Sequence, residues 1–230
     1  MTTVYIISAP SGSGKSTLVN GVRRIVSGLD FSISYTTRPP LRNEKHEREY
    51  FFVPREEFEE MVRKNEFLEH ADVFGNLYGT SRTFLREAER AGHDLLLDID
   101  VQGAEQIKRR LPEAVRIFIM PPDRQTLEDR LRNRSLDEES VIQRRLATAT
   151  REIENYANYD YILVNDRLDE SVETLKAILL AERLQRSELK PTTDQAGLLT
   201  IAESCRLKNV RERLQPILAS FLPATAPGGR

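Results

Sequence analysis

One stretch constrains this chain more than any other: a short apolar run, Val4-Tyr5-Ile6-Ile7, leads directly into Ala9-Pro10-Ser11-Gly12-Ser13-Gly14-Lys15-Ser16. Residues 9–16 match the phosphate-loop pattern G-x-x-x-x-G-K-[ST] at every required position except the first, which is Ala9. Downstream, Leu18, Val22, Ile25 and Val26 fall on one face of a helix. Strand, glycine-rich loop and helix, in that order, form the context in which the motif acts. Gly12 and Gly14 let backbone N–H groups turn inward on phosphate oxygens, and the helix start adds the positive end of its dipole. Lys15 supplies a point charge for the β and γ phosphates, Ser16 a hydroxyl for Mg²⁺ and Thr17 a neighbouring contact. The plain alternative, a Ser/Gly-rich turn with an incidental lysine, does not explain the flanking strand and helix. The motif implies a nucleoside triphosphate and leaves the reaction open.

Further buried-strand patterns recur at His93–Ile99, Val115–Met120 and Tyr161–Val164, separated by helical stretches near 101–110, 123–134, 137–157 and 168–187. Alternation of this kind predicts an α/β fold with a mostly parallel sheet flanked by helices. Between 31 and 80 the texture changes to short segments, Phe31–Ser34, Tyr50–Val53, Phe67–Val73 and Leu77–Thr80, which suggest a small mixed-β insert. Residues 1–30, 81–122 and 153–187 then form the core. Residues 123–152 carry seven Arg and seven acidic residues, with Ser135 and Glu138 spaced as a capping box, and read as a charged helical hairpin. Past 187 the register weakens at Lys190-Pro191-Thr192-Thr193. A second apolar stripe then follows at Leu207, Val210, Leu214, Ile217 and Phe221, interrupted by Pro216 as the expected start of another turn. The last eight residues read as a disordered end.

Composition narrows the partners. With 34 Lys and Arg against 36 Asp and Glu, the formal charge is −2, which gives no global attraction to nucleic acid or to anionic membranes. The apolar runs are far shorter than the ~20 residues that span a bilayer. A single cysteine, Cys205, cannot form an intramolecular disulfide, and the N-terminus lacks a signal-peptide pattern. A cytoplasmic protein is expected.

Several independent motifs carry a resemblance over residues 3–187: Ser8 to Ser16, Ser34-Tyr35-Thr36-Thr37-Arg38, Phe67-Leu68-Glu69-His70-Ala71, Gly75-Asn76-Leu77-Tyr78-Gly79-Thr80, Leu97-Asp98-Ile99-Asp100-Val101-Gln102-Gly103 and Val164-Asn165-Asp166. Together they resemble the guanylate kinase family, nucleoside monophosphate kinases that move the γ phosphate of ATP to GMP. The resemblance implies a P-loop core, a GMP-binding insert at 31–80, a helical lid at 123–152 and Mg²⁺ accompanying ATP. It leaves the extension at 188–230 without a role and the oligomeric state open.

Guanine presents two adjacent donors, N1–H and the 2-amino group, that one carboxylate can accept together, and the resemblance assigns this to Glu69. Ser34 and Thr80 resemble hydroxyl partners of the base, Thr80 being suited to donate to O6. Arg38, Tyr50 and Tyr78 resemble a clamp on the GMP phosphate, Arg38 through charge-assisted hydrogen bonds. Glu69 could instead be one more solvated acid, and the two tyrosines could be core residues. Asp98 and Asp100, one residue apart after a strand, resemble the family acids near guanine and near Mg²⁺-bound water. The alternative for them is a strand-end turn whose own N–H groups need carboxylates. After Arg38 the sequence departs from the family: Leu41 stands where an arginine is usual, the adjacent Arg42 is the candidate to take its place although a neighbouring residue need not point the same way, and the missing glycines suggest a different loop path.

Phosphoryl transfer needs charge neutralisation and exclusion of water. Arg134 and Arg145 match the family's two essential lid arginines, Arg130 resembles the one over adenine, and Asn165 resembles an adenine-side contact. Arginines among acids at helical spacing also describe a solvated face. Lys15, Arg38, Arg42, Arg134 and Arg145 are the expected catalytic charges, with Ser16 and Asp100 (through water) at the metal. No general base is required, because the acceptor is already an ionised phosphate oxygen. Two other functions share the pattern: a guanylate-kinase-like interaction module without activity, and a related kinase for another phosphorylated acceptor.

Overall fold

The structure, a computed structural model, describes residues 2–41, 44–73, 75–134, 138–187 and 191–222, the side chains of Arg134 and Asp194 excepted. The chain divides into two units, residues 1–8 with 19–117 and residues 9–18 with 118–230.

In the first unit β1 (Val4–Ser8) is buried along its length. Helix α1 (Lys15–Arg23) enters this unit from the second. β2 (Leu29–Ser32) pairs parallel with β7 (Asp94–Asp98), which also pairs parallel with β1. Leu95, Leu96 and Leu97 on β7 are all fully buried, the continuous apolar run expected of a strand covered on both faces. The segment expected as the insert's first strand, Phe31–Ser34, therefore falls partly on β2 in this parallel sheet. β3 (Tyr35–Thr36) follows at once in a second, mixed sheet of order β4-β3-β6-β5. There β4 is Phe51–Phe52, β5 is Phe67–Val73 and β6 is Asn76–Ser81.

A helix that the sequence reading passed over, α2 (Arg55–Arg63), lies between β4 and β5. It buries Phe58, whose ring stacks on Phe67 at 4.5 Å. Pro54 at its N-cap and two glutamates in its first turn are ordinary helix-start signals. Helix α3 (Arg82–Ala91) is capped by Ser81, which accepts the Thr83 N–H at 3.2 Å, and closes at Gly92 in the left-handed conformation. Helix α4 (Val101–Arg110) starts at Asp100.

β8 (Val115–Met120) carries the chain from the first unit into the second, where it neighbours β9 (Tyr161–Val164). Helices α5 (Arg124–Arg134) and α6 (Glu139–Ile153) form the charged hairpin. Arg132 on α5 clamps it, bonding Glu128 at 2.6 Å and Glu139 at 2.5 and 2.9 Å. That pairing pulls the Glu139 carboxyl down to about 2. Ser135 lies outside the described residues. The N-cap of α6 is Glu138, which makes no side-chain cap, whereas the expected box put Glu138 at the third helical position.

Helix α7 (Leu168–Arg186) is followed by two more, α8 (Thr193–Ser204) and α9 (Leu207–Phe221). The first of these is opened by a Thr192/Gln195 capping box in the stretch that read as a break. Pro216 lies inside α9 and does not start a new turn. Val210, Leu214, Ile217 and Phe221 are buried. The extension is sewn to β9 by backbone bonds from Ile162 N to Cys205 O and from Leu207 N to Asp160 O. Arg206 bonds Glu182 at 2.9 Å and lies over the Tyr161 ring at 4.4 Å, while the Tyr161 hydroxyl donates to Glu182 at 2.5 Å. Among the described residues no helix is long and apolar enough to cross a membrane.

Candidate active site

The residues expected on the acceptor side lie in the first unit. Glu69 and Thr80 face each other across β5 and β6, at a bulge between Phe67 and Glu69 that breaks the regular register. Both are buried, Glu69 with 4% exposure, and the Thr80 hydroxyl donates to Glu69 Oε1 at 2.6 Å. A hydroxyl has one proton, and here it goes to Glu69, where the expectation was a donor for O6 of guanine. Burial pushes the Glu69 carboxyl up to about 7, opposed by the Thr80 hydrogen bond and reinforced by the charge of Asp100. Glu69 is thus a desolvated acid, and the solvated alternative does not hold.

Asp100 serves as the N-cap of α4, its Oδ1 accepting the Gly103 N–H at 2.8 Å. The strand-end role is therefore real, and it occupies one of the two carboxylate oxygens. Gly103 carries no signal of its own in the sequence. A Cβ there would lie 2.8 Å from Glu69 Oε2 and 3.3 Å from Asp100 Oδ1, so only glycine lets the two acids share this corner. Helix α4 also holds β5 from outside: Gln106 donates to the His70 carbonyl at 2.9 Å, and Arg110 donates to the carbonyls of Phe67 and Leu68. Neither residue carried a motif signal, because both act on backbone.

A second cluster surrounds Arg38. Its Nε donates to the Tyr78 hydroxyl at 3.1 Å, Nη1 to the Pro39 carbonyl at 2.8 Å and Nη2 to both oxygens of Glu44 at 3.0 and 2.9 Å. The Tyr50 ring packs 5.8 Å from Tyr78 and 5.5 Å from the guanidinium. Burial, then the charge of Asp98, pushes the Tyr50 hydroxyl up to about 12, which keeps it a neutral donor at physiological pH. Because Tyr78 accepts from Arg38, its own O–H is left to donate. Arg38, Tyr50 and Tyr78 thus form one anion-seeking corner, in which Glu44 supplies the carboxylate.

Ser34 lies between β2 and β3, its carbonyl accepting the Phe51 N–H at 2.9 Å. Leu41 is 58% exposed, and its N–H bonds Glu44 at 2.8 Å. Arg42 lies outside the described residues. Glu47 adopts a left-handed backbone, φ 66°. This stretch of the loop thus contains a glycine-type turn with no glycine to supply it.

The second unit holds the phosphate loop. Gly12 and Gly14 have φ of 92° and 84°, the region that glycine alone enters without strain. A Cβ on Gly14 would stand 2.5 Å from Asn165 Nδ2, and one on Gly12 would stand 3.0 Å from the side chains of both Leu127 and Leu131. Asn165 is buried and donates to the Ser13 carbonyl at 2.7 Å. Expected at adenine, it is first of all a strut of the loop. Its Oδ1 and the Ser13 hydroxyl are buried without a hydrogen-bond partner. Lys15 opens α1, and Ser16 and Thr17 follow it on the exposed first turn. Arg130, on α5 as expected, donates to the carbonyls of Asn165 at 3.0 Å and Asp166 at 3.3 Å. Arg134 is the last residue of α5, and Arg145 lies partly exposed on α6.

Comparison with known proteins identifies the family. The guanylate kinase family model matches residues 1–182. The chain is 56% identical over 228 residues to guanylate kinase of Koribacter versatilis, covering 98% of each. It is 48% identical over 194 residues to guanylate kinase of Escherichia coli K12, covering 84% of this chain and 94% of that one. The crystal structure of guanylate kinase from Anaplasma phagocytophilum superposes with a TM-score of 0.67 at 32% identity, covering 93% of this chain and 94% of the other. With its phosphate loop on a strand-to-helix turn, its buried Glu69–Thr80 pair and these relatives, the chain belongs to the guanylate kinase family.

Proposed function

We propose that the chain catalyses Mg²⁺-dependent transfer of the γ phosphate of ATP to GMP, giving ADP and GDP. The observation that carries this reading is the buried Glu69 carboxylate, prepared by Thr80 in a desolvated corner within the same unit as the Arg38–Tyr78–Tyr50 cluster. A carboxylate there accepts the two adjacent donors of guanine, and an adenine in its place leaves it unpaired. The Arg38 cluster takes the GMP phosphate, which displaces the Glu44 carboxylate from the guanidinium. Asp98, near Tyr50, completes this half-site.

In the other unit the Ala9–Gly14 loop takes the triphosphate on its backbone N–H groups, with Lys15 on the β and γ phosphates. Arg130 and Asn165 form the adenine side, and Arg134 and Arg145 neutralise the moving phosphoryl group. The Ser16 hydroxyl, on an exposed first turn, suits a hard cation carried in with the triphosphate. In the first unit Asp100 keeps a second carboxylate oxygen beyond its N-cap bond, suited to act through water. When bound, Mg²⁺ neutralises phosphate charge. The chain's own part is to bind, align and shield.

The test is a steady-state assay with ATP, Mg²⁺ and each of GMP, AMP, CMP and UMP. ADP production with GMP alone is expected. Turnover with another monophosphate in preference to GMP, or with none, overturns the reading. A cytoplasmic enzyme acting on free nucleotides fits the chain's balanced charge.

A further inference from the structure

Helices α8 and α9 lie beyond residue 182, outside the stretch matched by the family model, and carry none of the residues assigned above to the reaction. Helix α9 nonetheless reaches one end of α5. The backbone N–H of Arg124, the first residue of α5, donates to the Ser220 hydroxyl oxygen at 3.0 Å, and that hydroxyl donates onward to the Ile217 carbonyl at 2.6 Å. A first-turn N–H has no partner within its own helix. Asp123 covers another by accepting from Thr126 N at 2.6 Å. Helix α9 therefore contributes a cap in trans, from a residue 96 positions away.

What α5 does next makes this cap relevant to the reaction. Leu127 and Leu131, both buried, floor the phosphate loop so closely that a Cβ at Gly12 would come within 3.0 Å of each. One turn of helix away from Leu127, Arg130 holds the Asn165 and Asp166 carbonyls. Asn165 in turn holds the Ser13 carbonyl at 2.7 Å. Helix α5 thus touches the loop twice, through its floor and through the Arg130–Asn165 strut, and it ends at Arg134. A shift or fraying at its N-terminus moves both contacts. On the other side, α9 is anchored by its buried stripe and by the Cys205–Leu207 stitching to β9.

We propose that α9 is a brace for the triphosphate half of the reaction, with Ser220 as a positioning residue that acts through α5 on the phosphate loop. The inference rests on the reading of residues 9–16 as the ATP site. It makes ATP affinity, and not GMP affinity, the quantity that the extension tunes.

The experiment compares Ser220→Ala, Ser220→Thr and Lys15→Ala in the full chain, measuring kcat, the KM for ATP, the KM for GMP and the thermal unfolding midpoint. Ser220→Ala is expected to raise the KM for ATP about two- to fivefold, the upper end being the ratio equivalent to about 1 kcal/mol of lost capping, with the KM for GMP unchanged. Ser220→Thr, which keeps the acceptor oxygen, should restore the wild-type value. A lowered unfolding midpoint with both KM values unchanged makes Ser220 a structural cap only and overturns the proposal. Equal rises in both KM values overturn it too. Retained turnover in Lys15→Ala sinks the ATP-site reading itself, a failure distinguishable from that of the brace.

Discussion

The two half-sites solve opposite problems with opposite materials. The acceptor corner of the first unit is made of side chains holding side chains: Thr80 on Glu69, Arg38 on Tyr78 and Glu44. The loop of the second unit is made of backbone, two glycines at positive φ, an amide strut from Asn165 and a leucine floor. A base is recognised by its edge, which requires directional and charged groups in a dry place. A triphosphate is recognised by its charge, for which inward-facing N–H groups and one lysine suffice. Substitution should therefore damage the two regions differently: by shape and charge in the loop, by chemistry and pH in the acceptor corner.

The largest expected effect is in the loop. Lys15→Ala should lower turnover about 10³-fold with an unchanged unfolding midpoint, since it removes charge from the transferring phosphates. Gly14→Ala should approach the same loss by another route. Its φ of 84° and a Cβ 2.5 Å from Asn165 Nδ2 force either the loop or the strut to move. Near-normal ATP kinetics in Gly14→Ala would show that the loop tolerates what the geometry forbids.

Next comes the acceptor corner. Glu69→Gln keeps the shape and replaces one acceptor oxygen by an NH₂ group facing guanine donors. The KM for GMP should rise about 100-fold while the KM for ATP stays within about twofold. Parallel losses for the two nucleotides would erase the distinction between the half-sites. Gly103→Ala serves as the steric counterpart, because its methyl group meets Glu69 Oε2.

How much of this was legible in the sequence follows the same division. The loop could be read because its function is carried by residue types at fixed spacing, and Lys15, Gly12 and Gly14 stand where the spacing puts them. Glu69, Thr80, Arg38, Tyr50 and Tyr78 were read through resemblance, and the structure sorts them into two clusters. The supporting contacts were not legible. Arg110, Gln106 and Ser220 act on backbone groups distant in sequence, and such bonds leave no local pattern. Phe31–Ser34 misleads because one strand ends at Ser32 and the next begins at Tyr35, three residues on, in a different sheet. Pro216 misleads because its missing N–H predicts a break, whereas the buried stripe of α9 carries the helix across it.

A smaller effect separates the half-sites by pH. The Glu69 carboxyl is raised above its usual range to about 7, so the folded apo protein holds a proton there that the unfolded chain releases near the ordinary value. This group therefore favours folding fully at low pH, and that contribution is lost as pH rises through 7. Guanine donors require the ionised form, so binding has the opposite slope. Between pH 7 and pH 6 the KM for GMP should rise about fivefold, with Glu69→Gln flat across the same range. A flat wild-type profile would mean that guanine does not meet a titrating carboxylate.

The smallest effect concerns a conformation that the two regions share. Gly12 and Gly14 take positive φ with the one residue suited to it, whereas Glu47 takes φ 66° in the acceptor loop with a side chain attached. A left-handed conformation costs a non-glycine residue roughly 1–2 kcal/mol, and glycine gives back about 0.5–1 kcal/mol in extra unfolded-chain entropy. The Glu47 side chain is exposed, its Oε1 lies 3.9 Å from His46 Nε2, and the turn is held by backbone through Glu47 N to Tyr50 O at 3.0 Å. Glu47→Gly should therefore stabilise the protein by about 0.5–1 kcal/mol, a rise of roughly 1–4 °C in the unfolding midpoint for a chain of this size. The KM for ATP should not move. Because Tyr50 sits at the end of the same turn, a relaxed backbone there should leave the KM for GMP equal or slightly lower. A lowered midpoint would mean that the Glu47 side chain contributes more than its left-handed backbone costs, and that the acceptor loop, unlike the phosphate loop, is stabilised by the residue that strains it.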